Sequence, residues 1–533
     1  MYLKCILPGL ASLLLGCLSC SSADHPPSET AHYQEPHRPQ FHFSPAAHWM
    51  NDPNGMFYYE GEYHLFYQYY PDSTVWGPMH WGHALSTDLV HWEHLPIALY
   101  PDSLGYIFSG SAVVDWKNTS GLGVDGRPPL VAIFTYHDPV GEKAGRNDFQ
   151  YQGIAYSNDK GRSWTKYSGN PVVPNTEAIR DFRDPKVIWH EGMQRWIMVF
   201  AAYDHVKFWA SDDLKSWEHL SDFGKEWGVH AGVWECPDLF PLRVEGADET
   251  KWVLLLSINP GSPNGGSGTQ YFVGDFDGKD FRLEDSFARD VQDEKGVWLD
   301  YGRDNYAGVT WSDIPPEDGR RLFIGWMSNW DYAQVVPTAT WRSAMTLPRT
   351  LTLRQTENGY RIFSQPVHEL QGLRVAEREL NAQDVLDTLN ITAALGSSAV
   401  LMELILEFEL TEEGSADFGL ELSNALGERY RIGYQAATGQ YYSDRTQAGA
   451  VSFSEKFAGQ VHTAPRIAVG STVKLHLFLD VASAELFADD GATVLTDIFF
   501  PSENFDQVKV YADHGGVKLL GGKAFPLEPI WER

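Results

Sequence analysis

Apolar and polar residues alternate in short runs along most of the chain, and no long stretch follows a helical repeat. From residue 42 to about residue 353 the runs have the period and composition of β-strands. Met56–Tyr59 and Glu62–Tyr69 form one pair of runs, separated only by Glu60 and Gly61, which predicts a β-hairpin with a two-residue turn. The pattern therefore indicates a chain made mainly of β-strands.

One local pattern recurs at the start of five strand pairs. Three copies carry an acid close to a proline, at Asp52-Pro53, Asp184-Pro185 and Glu235-Cys236-Pro237. Two further copies lack the proline, at Phe108–Ser111 and Asp304–Gly308. Repeats of this length that consist of consecutive hairpins are typical of propeller blades rather than of a solenoid. We therefore predict an all-β chain that begins with a five-bladed β-propeller.

A second motif lies between these starts and pairs a serine with an aspartate two residues later. Its copies are Ser86-Thr87-Asp88, Ser157-Asn158-Asp159 and Ser211-Asp212-Asp213, each followed by a tryptophan. The middle copy, continued to Trp164, nearly matches the Asp-box of sialidase propellers. That box is a turn at a blade edge, so it indicates architecture more than chemistry. A sialidase would need several arginines to hold an anionic sugar, and it remains a minor alternative.

The strand pattern breaks between about residues 364 and 373, and a second series of strands follows. Short alternating runs with Gly and Asp turns are typical of a β-sandwich, and Leu401–Leu410 is the clearest of them. We predict a propeller over residues 40–360, a linker over 361–373 and a β-sandwich over 374–533. The sandwich could support the propeller, form a dimer contact or bind sugar weakly, and the sequence favours support.

The composition limits the kinds of partner that the protein can bind. The 533 residues carry a formal net charge of −30, which argues against nucleic acid, an anionic membrane or a polyanionic substrate. Aromatic residues make up 14% of the chain, and rings of this kind can stack on sugar faces as well as fill cores. A neutral substrate fits best, no cofactor is predicted, and the oligomeric state is left open.

The N-terminal segment has the pattern of an export signal. Lys4 precedes the apolar run Cys5–Leu15, and Leu14-Leu15-Gly16-Cys17 resembles a bacterial lipobox with Cys17 as the lipidated residue. Cys20 is a weaker candidate, and an ordinary signal cut near Ala23 is the alternative. We expect a lipoprotein signal peptide over 1–20 and a flexible tether over 21–39. The protein would then be an exported bacterial lipoprotein, held on a membrane only through its lipid anchor.

The propeller prediction gives the three acids a common position. Equivalent positions of different blades form a ring around the axis, so Asp52, Asp184 and Glu235 should meet at one mouth of the channel. Three carboxylates at one mouth repel each other and lower the stability of the fold, so such a cluster indicates a functional site. A metal site would want further carboxylates, and Arg183 would be an odd neighbour for a cation. Paired acids around a cleft are instead the groups that cleave a glycosidic bond.

Three segments carry a specific family resemblance. Trp49–Gly55, Phe182–Pro185 and Glu235–Pro237 resemble the three signature motifs of glycoside hydrolase family 32, the β-fructosidases. Gly325–Trp330 and Trp341–Arg349 are similar to the bacterial and fungal levanases and exo-inulinases of that family. The resemblance covers nearly all of the mature chain, including the second domain, and implies a five-bladed propeller with an appended sandwich.

The resemblance also implies a role for each acid. Asp52 would be the nucleophile, Glu235 the acid and base, and Asp184 the group that binds fructose hydroxyls, kept ionised by the adjacent Arg183. Retention of configuration places the carboxyls of Asp52 and Glu235 about 5–5.5 Å apart. The predicted substrate-binding residues are Asn51, Gln68, Trp76, Phe108, Ser109, Arg183 and Trp330.

The remaining cysteine and four histidines receive structural assignments. Cys236, the single cysteine outside the export segment, is predicted to be a buried neighbour of Glu235, and no internal disulfide can form. The predicted structural or rim histidines are His80, His83, His91 and His94.

The predicted function is release of terminal fructose from β-fructans (levan, inulin or both) and possibly from sucrose. The alternatives are a non-catalytic fructan-binding lipoprotein, a sucrose-preferring invertase and an endo-acting levanase.

Overall fold

The computed structural model describes residues 33–293, 295–396, 400–410 and 416–531. The predicted signal peptide, with Cys17 and most of the predicted tether, lies outside these residues. No helix in the described part of the chain is both long and apolar enough to cross a membrane. Within these ranges three short α-helices interrupt an otherwise β structure: α1 (Pro139–Lys143), α2 (Asp285–Val291) and α3 (Thr392–Leu395).

Five antiparallel sheets, each following the chain from its inner to its outer strand, form the first domain. The first sheet contains β1 (His48–Tyr59), β2 (Glu62–Tyr70), β3 (His80–Ser86) and β4 (Glu93–Leu99). The second contains β5 (Tyr106–Val114), β6 (Leu130–His137), β7 (Gln150–Ser157) and β8 (Thr165–Lys166). The third contains β9 (Phe182–His190), β10 (Arg195–Ala202), β11 (Val206–Ser211) and β12 (Glu218–Phe223).

The last two sheets complete the ring. The fourth contains β13 (Val233–Arg243), β14 (Thr250–Asn259), β15 (Gly268–Phe276) and β16 (Phe281–Leu283). The fifth contains β17 (Tyr306–Thr310), β18 (Arg321–Met327), β20 (Ala344–Met345), β21 (Arg349–Thr356) and β22 (Gly359–Pro366). The short strand β19 (Trp341–Arg342) pairs in parallel with the start of β1. Each inner strand packs on the next, and β17 packs back on β1, so the five-bladed propeller is confirmed.

The Glu60-Gly61 pair and the serine–aspartate motif both form turns. Glu60 and Gly61 connect β1 to β2 with positive φ angles of 48° and 90°, as a tight hairpin turn requires. In the second motif the serine hydroxyl donates to the aspartate two residues on, for example from Ser86 to Asp88 at 3.0 Å. Asp88 then accepts the backbone N–H groups that follow it, which closes the turn at the blade edge.

The second domain is the predicted β-sandwich of two facing sheets. One sheet contains β23 (Arg378–Leu380), β24 (Gln383–Val385), β26 (Met402–Glu409), β31 (Thr472–Asp480), β32 (Ser483–Ala488), β33 (Thr493–Ile498) and β35 (Val517–Pro526). The other contains β25 (Thr388–Asn390), β27 (Asp417–Ser423), β28 (Arg429–Gln435), β29 (Gln440–Gln447), β30 (His462–Pro465) and β34 (Gln507–Asp513). Their inward residues form one apolar core.

The boundary between the domains lies later than the sequence suggests. Strand β22 pairs with β21 as far as Pro366, so residues 361–366 belong to the last blade rather than to a linker. A 3-10 turn at His368–Leu373 then leads into the sandwich. The two domains are joined by buried ion pairs, including one between Arg349 of the propeller and Glu485 of the sandwich at 2.6 Å.

Candidate active site

Each of the three acids lies at the start of an inner strand, where the strand pairing is irregular. The register shifts between Met50 and Pro53 in β1, which brackets Asp52, and between Glu235 and Asp238 in β13. Proline cannot donate a ladder hydrogen bond, so it favours such bulges, and a bulge redirects the side chain beside it. In β9 the backbone of Asp184 has a φ of 64°. The local irregularities aim all three carboxyls into the channel.

The thiol of Cys236 shows how closely the acids meet. Its Sγ lies 3.6 Å from Oδ2 of Asp52 and 3.5 Å from Oδ2 of Asp184. The backbone N–H of Cys236 also donates to Asp184 Oδ2 at 3.0 Å. Burial first, and then repulsion by the carboxylates, raises the pKa of this thiol well above its usual value. Cys236 is therefore a buried neutral neighbour of the acids.

Two side-chain donors fix the carboxyl of Asp52. Asn51 Nδ2 donates to Oδ1 at 2.9 Å, and Ser109 Oγ donates to Oδ2 at 2.9 Å. Asn51 is itself held by the indole N–H of Trp49 at 2.7 Å. Burial raises the pKa of Asp52, whereas the hydrogen bond from Asn51 lowers it. The two donors stabilise the ionised form and orient its oxygens toward the cavity.

Glu235 is the acid that Arg183 binds. Arg183 donates to Oε1 of Glu235 from Nη2 at 3.0 Å and from Nε at 3.2 Å, and the hydroxyl of Tyr306 contacts the other oxygen. A second carboxylate, Asp181, accepts from Arg183 Nη1 at 2.6 Å. The guanidinium therefore bridges two blades.

The predicted pairing of Arg183 with Asp184 is present as a looser ion pair. The closest approach between the two groups is 3.9 Å, because residues adjacent in a strand point in opposite directions and Arg183 turns to Glu235. Burial raises the pKa of Asp184 to about 7, and the attraction of Arg183 only partly offsets it. The attraction of Arg183 therefore does not by itself keep the pKa of Asp184 low.

A cavity of about 400 Å³ contains all three acids and every residue predicted to bind substrate. Trp76 stands at its rim with 37% of its surface exposed. The amide Nε2 of Gln68 is buried without a hydrogen-bond partner among the described residues, so it is available to a ligand. The other predicted members are Asn51, Phe108, Ser109, Arg183 and Trp330.

Sequence reasoning missed several functional side chains. Tyr306 lies at the start of the fifth inner strand, so extending the equivalence of the blade starts by two residues could have found it. Gln150, which accepts from Arg183 at 3.2 Å, had no comparable signal. Further wall residues come from strand ends and loops whose positions only the fold defines: His137, Glu142, Phe149, Asp181 and Gln334.

The described residues contain no group of three or more His, Cys, Asp or Glu side chains arranged to hold a metal ion. The four histidines singled out above do not line the cavity. His83 contacts His64 at 3.0 Å inside the first blade, and exposed His91 pairs with Asp88 at 2.8 Å. His80 bonds the carbonyl of Pro78, and His94 bonds the hydroxyl of Tyr33.

Acidic groups that converge in a small cavity, at one end of a five-bladed propeller, define a glycoside hydrolase. Residues 42–366 match the model of the glycosyl hydrolases family 32 N-terminal domain, and residues 369–525 match that of the family 32 C-terminal domain. The chain belongs to glycoside hydrolase family 32.

Several characterised relatives align over nearly the whole chain. A levanase of Bacillus subtilis is 47% identical over 520 residues, which cover 97% of this chain and 74% of the relative. An extracellular exo-inulinase of Aspergillus niger is 38% identical and covers 98% of this chain and all of the relative. The crystal structure of an exo-inulinase from Aspergillus awamori superposes with a TM-score of 0.86 at 36% identity, covering 94% of this chain and all of that one.

Proposed function

We propose that this protein is an exo-acting β-fructosidase that releases terminal fructose from levan or inulin and also cleaves sucrose. The observation that carries the proposal is the meeting of Asp52, Asp184 and Glu235 in one cavity of about 400 Å³. Relatives named as a levanase and as an exo-inulinase support the choice of substrate. A fructofuranosidase of Schwanniomyces occidentalis complexed with fructose, which superposes with a TM-score of 0.83 at 32% identity, supports it further.

The shape of the cavity supports cleavage from chain ends. Behind the acids the channel narrows to a space of about 10 Å³ lined by Pro53, Gly110 and Cys236. A sugar unit that enters therefore finds little further space behind the acids. We therefore place the terminal unit of a fructan against Asp52, with the rest of the chain leaving past Trp76 at the rim.

The first chemical step forms a covalent intermediate. A carboxylate oxygen of Asp52 bonds to the anomeric carbon of the terminal fructose as the bond from that carbon to the leaving oxygen breaks. Glu235 gives its proton to the departing oxygen, which leaves as the hydroxyl of the shortened chain. Ser109 and Asn51 keep the oxygens of Asp52 in one orientation, so little reorganisation precedes the attack.

The second step releases fructose. Glu235, now ionised, takes a proton from water as that water attacks the anomeric carbon, and the bond to Asp52 breaks. Arg183 and Tyr306 contact the two oxygens of Glu235 and hold its carboxyl in one position for both proton transfers. Asp184 accepts hydrogen bonds from fructose hydroxyls and does not bond covalently. Two displacements give retention of configuration.

Export of the protein is part of the proposal. The N-terminal segment has the pattern of a lipoprotein signal with Cys17 as the acylated residue, and relatives are named as extracellular enzymes. Mass spectrometry of the membrane fraction should find the diacylated Cys17 at the mature N-terminus. Recovery of the protein cut near Ala23, with no lipid, would replace the anchor by an ordinary secretory signal.

The test is product analysis with levan, inulin and sucrose as separate substrates. Free fructose should be the first product from both polymers, and the Asp52→Asn variant should bind fructan without turning it over. Asp88→Asn, the same change at a blade edge, is the matched control and should stay active. Fructo-oligosaccharides as first products would show endo-action, and normal turnover by Asp52→Asn would refute the assigned roles.

A further inference from the structure

A second cavity, of about 620 Å³, opens at the opposite end of the propeller channel. The active site uses the N-terminal ends of the inner strands, and this cavity uses their C-terminal ends. Its wall includes Val114 at the end of β5, His190 at the end of β9 and Phe240 near the end of β13. Its volume is within the range of small-molecule sites, and nothing in the proposed catalytic mechanism uses it. We call it the far-mouth cavity.

Three indole rings in the far-mouth cavity are held in fixed orientations. Trp116 is 60% exposed, yet its N–H donates to Asp313 Oδ1 at 2.9 Å. The N–H of Trp189 donates to Glu191 at 2.9 Å. Trp252 stacks on His190 with the ring centres 5.7 Å apart. Rigid aromatic faces that lie partly in water are costly on a free surface and are typical of binding sites.

The cavity also contains donors that the protein leaves unused. The guanidinium of Arg321 lies 4.9 Å over the ring of Phe240, and it forms no hydrogen bond or ion pair with the described residues. The hydroxyl of Ser312 is buried and has no hydrogen-bond partner among them. The neighbouring Lys186, by contrast, is satisfied by the carbonyl of Thr310 at 2.7 Å. An arginine offers five N–H donors, so a ligand rich in acceptor oxygens could accept hydrogen bonds from Arg321 that no protein group accepts among the described residues.

The charges around these donors argue for an uncharged ligand. Lys117 and Lys186 line the cavity together with Arg321, but Lys117 lies 4.3 Å over the ring of Trp189 and Lys186 pairs with Asp238 at 3.3 Å. Asp313 and Glu191 line the same cavity, so an anion would meet charges of both signs there. The whole chain carries a formal charge of −30, which further disfavours an anion. A purely apolar ligand would leave Arg321 and Ser312 unpaired, which costs free energy. Hydroxyl groups on a ring with apolar faces meet all of these conditions.

We propose that the far-mouth cavity is a second binding site, for a neutral saccharide that stacks on Trp116 and accepts from Arg321. A segment of the polymeric substrate is one source of such a ligand, and this source rests on the proposed function. Another neutral glycan is the second source. Because the two cavities open at opposite ends of the channel, a saccharide held here would not compete with the terminal unit at Asp52.

Calorimetry on the full chain tests the proposal. The Asp52→Asn protein is titrated with an inulin-type fructo-oligosaccharide, a levan-type one and a gluco-oligosaccharide of equal length. At least one of them should bind to a site that Trp116→Ala weakens by about threefold or more, in line with the loss of one stacking ring. Trp189→Ala should weaken the same site, so the test does not depend on one variant. Tyr100→Ala removes a ring that is 54% exposed outside the cavity and is the matched control.

The results distinguish three cases: the ligand is the substrate polymer, the ligand is another neutral glycan, or the proposal is wrong. Two binding events with a fructo-oligosaccharide, one of which Trp116→Ala weakens, identify the substrate polymer. A Trp116-dependent event with the gluco-oligosaccharide alone identifies another glycan, and it stands even if fructan cleavage is disproved. In otherwise native protein, Trp116→Ala should leave sucrose turnover unchanged. Saccharide binding that neither Trp116→Ala nor Trp189→Ala alters would overturn the proposal, as would binding of inorganic phosphate in place of sugar.

Discussion

Replacing Asp184 by asparagine should abolish activity and at the same time stabilise the folded protein above neutral pH. The carboxyl is buried at the bottom of the site, and burial raises its pKa from 3.8 to about 7. In the folded state the charged form of Asp184 is therefore disfavoured, and ionising it lowers the stability of the folded protein. Asparagine keeps the shape and can still accept the backbone N–H of Cys236, which donates to Asp184 at 3.0 Å.

The magnitude and its sign follow from the proton balance. Between pH 4 and pH 7 the unfolded chain loses the proton of Asp184 while the folded protein retains it, so stability falls as the pH rises. About three pKa units correspond to roughly 4 kcal/mol once the pH exceeds the folded pKa. The variant has no such group. The free energy of unfolding of Asp184→Asn should therefore exceed that of the native protein only slightly near pH 4. The difference should grow by about 2–3 kcal/mol between pH 5 and pH 8.

Thermal unfolding of the native protein and of Asp184→Asn, at pH 5 and at pH 8, measures this difference in stability. Asp88→Asn is the control, because hydrogen bonds from the His91 segment outweigh burial and lower the pKa of Asp88. That variant should lose stability at pH 8 rather than gain it. If Asp184→Asn melts below the native protein at pH 8, or if the difference does not depend on pH, the carboxyl is not strained and the reasoning fails.

Three further changes test other parts of the structure. Tyr306→Phe removes the hydroxyl that contacts Glu235 and should lower kcat roughly tenfold with little change in KM, measured on sucrose. Burial opposes protonation of His42, but two sandwich carboxylates raise its pKa to about 9. His42→Gln should therefore lower the melting temperature at pH 6, and the difference should shrink as the pH rises through 9. Arg445→Met leaves a buried interdomain carboxylate unpaired and should cost about 3–5 kcal/mol in unfolding experiments.

The sequence predicted the propeller and the acids because the signals for both are local. A proline beside an acid at the start of a strand pair, as at Asp52, reports a bulge directly, and the repeat of that pattern sets the number of blades. Asn51, Phe108, Ser109 and Arg183 lie at blade starts, and the family resemblance supplied Gln68, Trp76 and Trp330. All of them line the cavity.

The residues that escaped prediction depend on contacts between blades. Gln150 begins the third strand of the second blade, and it reaches the site only because Arg183 of the next blade extends to it. The tighter contact of Arg183 with Glu235 of the following blade escaped prediction for the same reason. Such contacts depend on the relative rotation of adjacent blades, which no single run of residues encodes.

The acid at the fifth blade start does not reach the active-site cavity. Asp304 occupies the predicted position, but its carboxylate accepts from Arg445 of the sandwich at 2.6 Å and from the hydroxyl of Tyr332 at 2.6 Å. The acid is therefore used to attach the second domain and is withdrawn from the channel. Two residues later Tyr306 enters the channel and contacts Glu235. The sandwich thus holds the strand that carries Tyr306 to Glu235, the proposed proton donor, and this contact is how the second domain would affect the proposed chemistry.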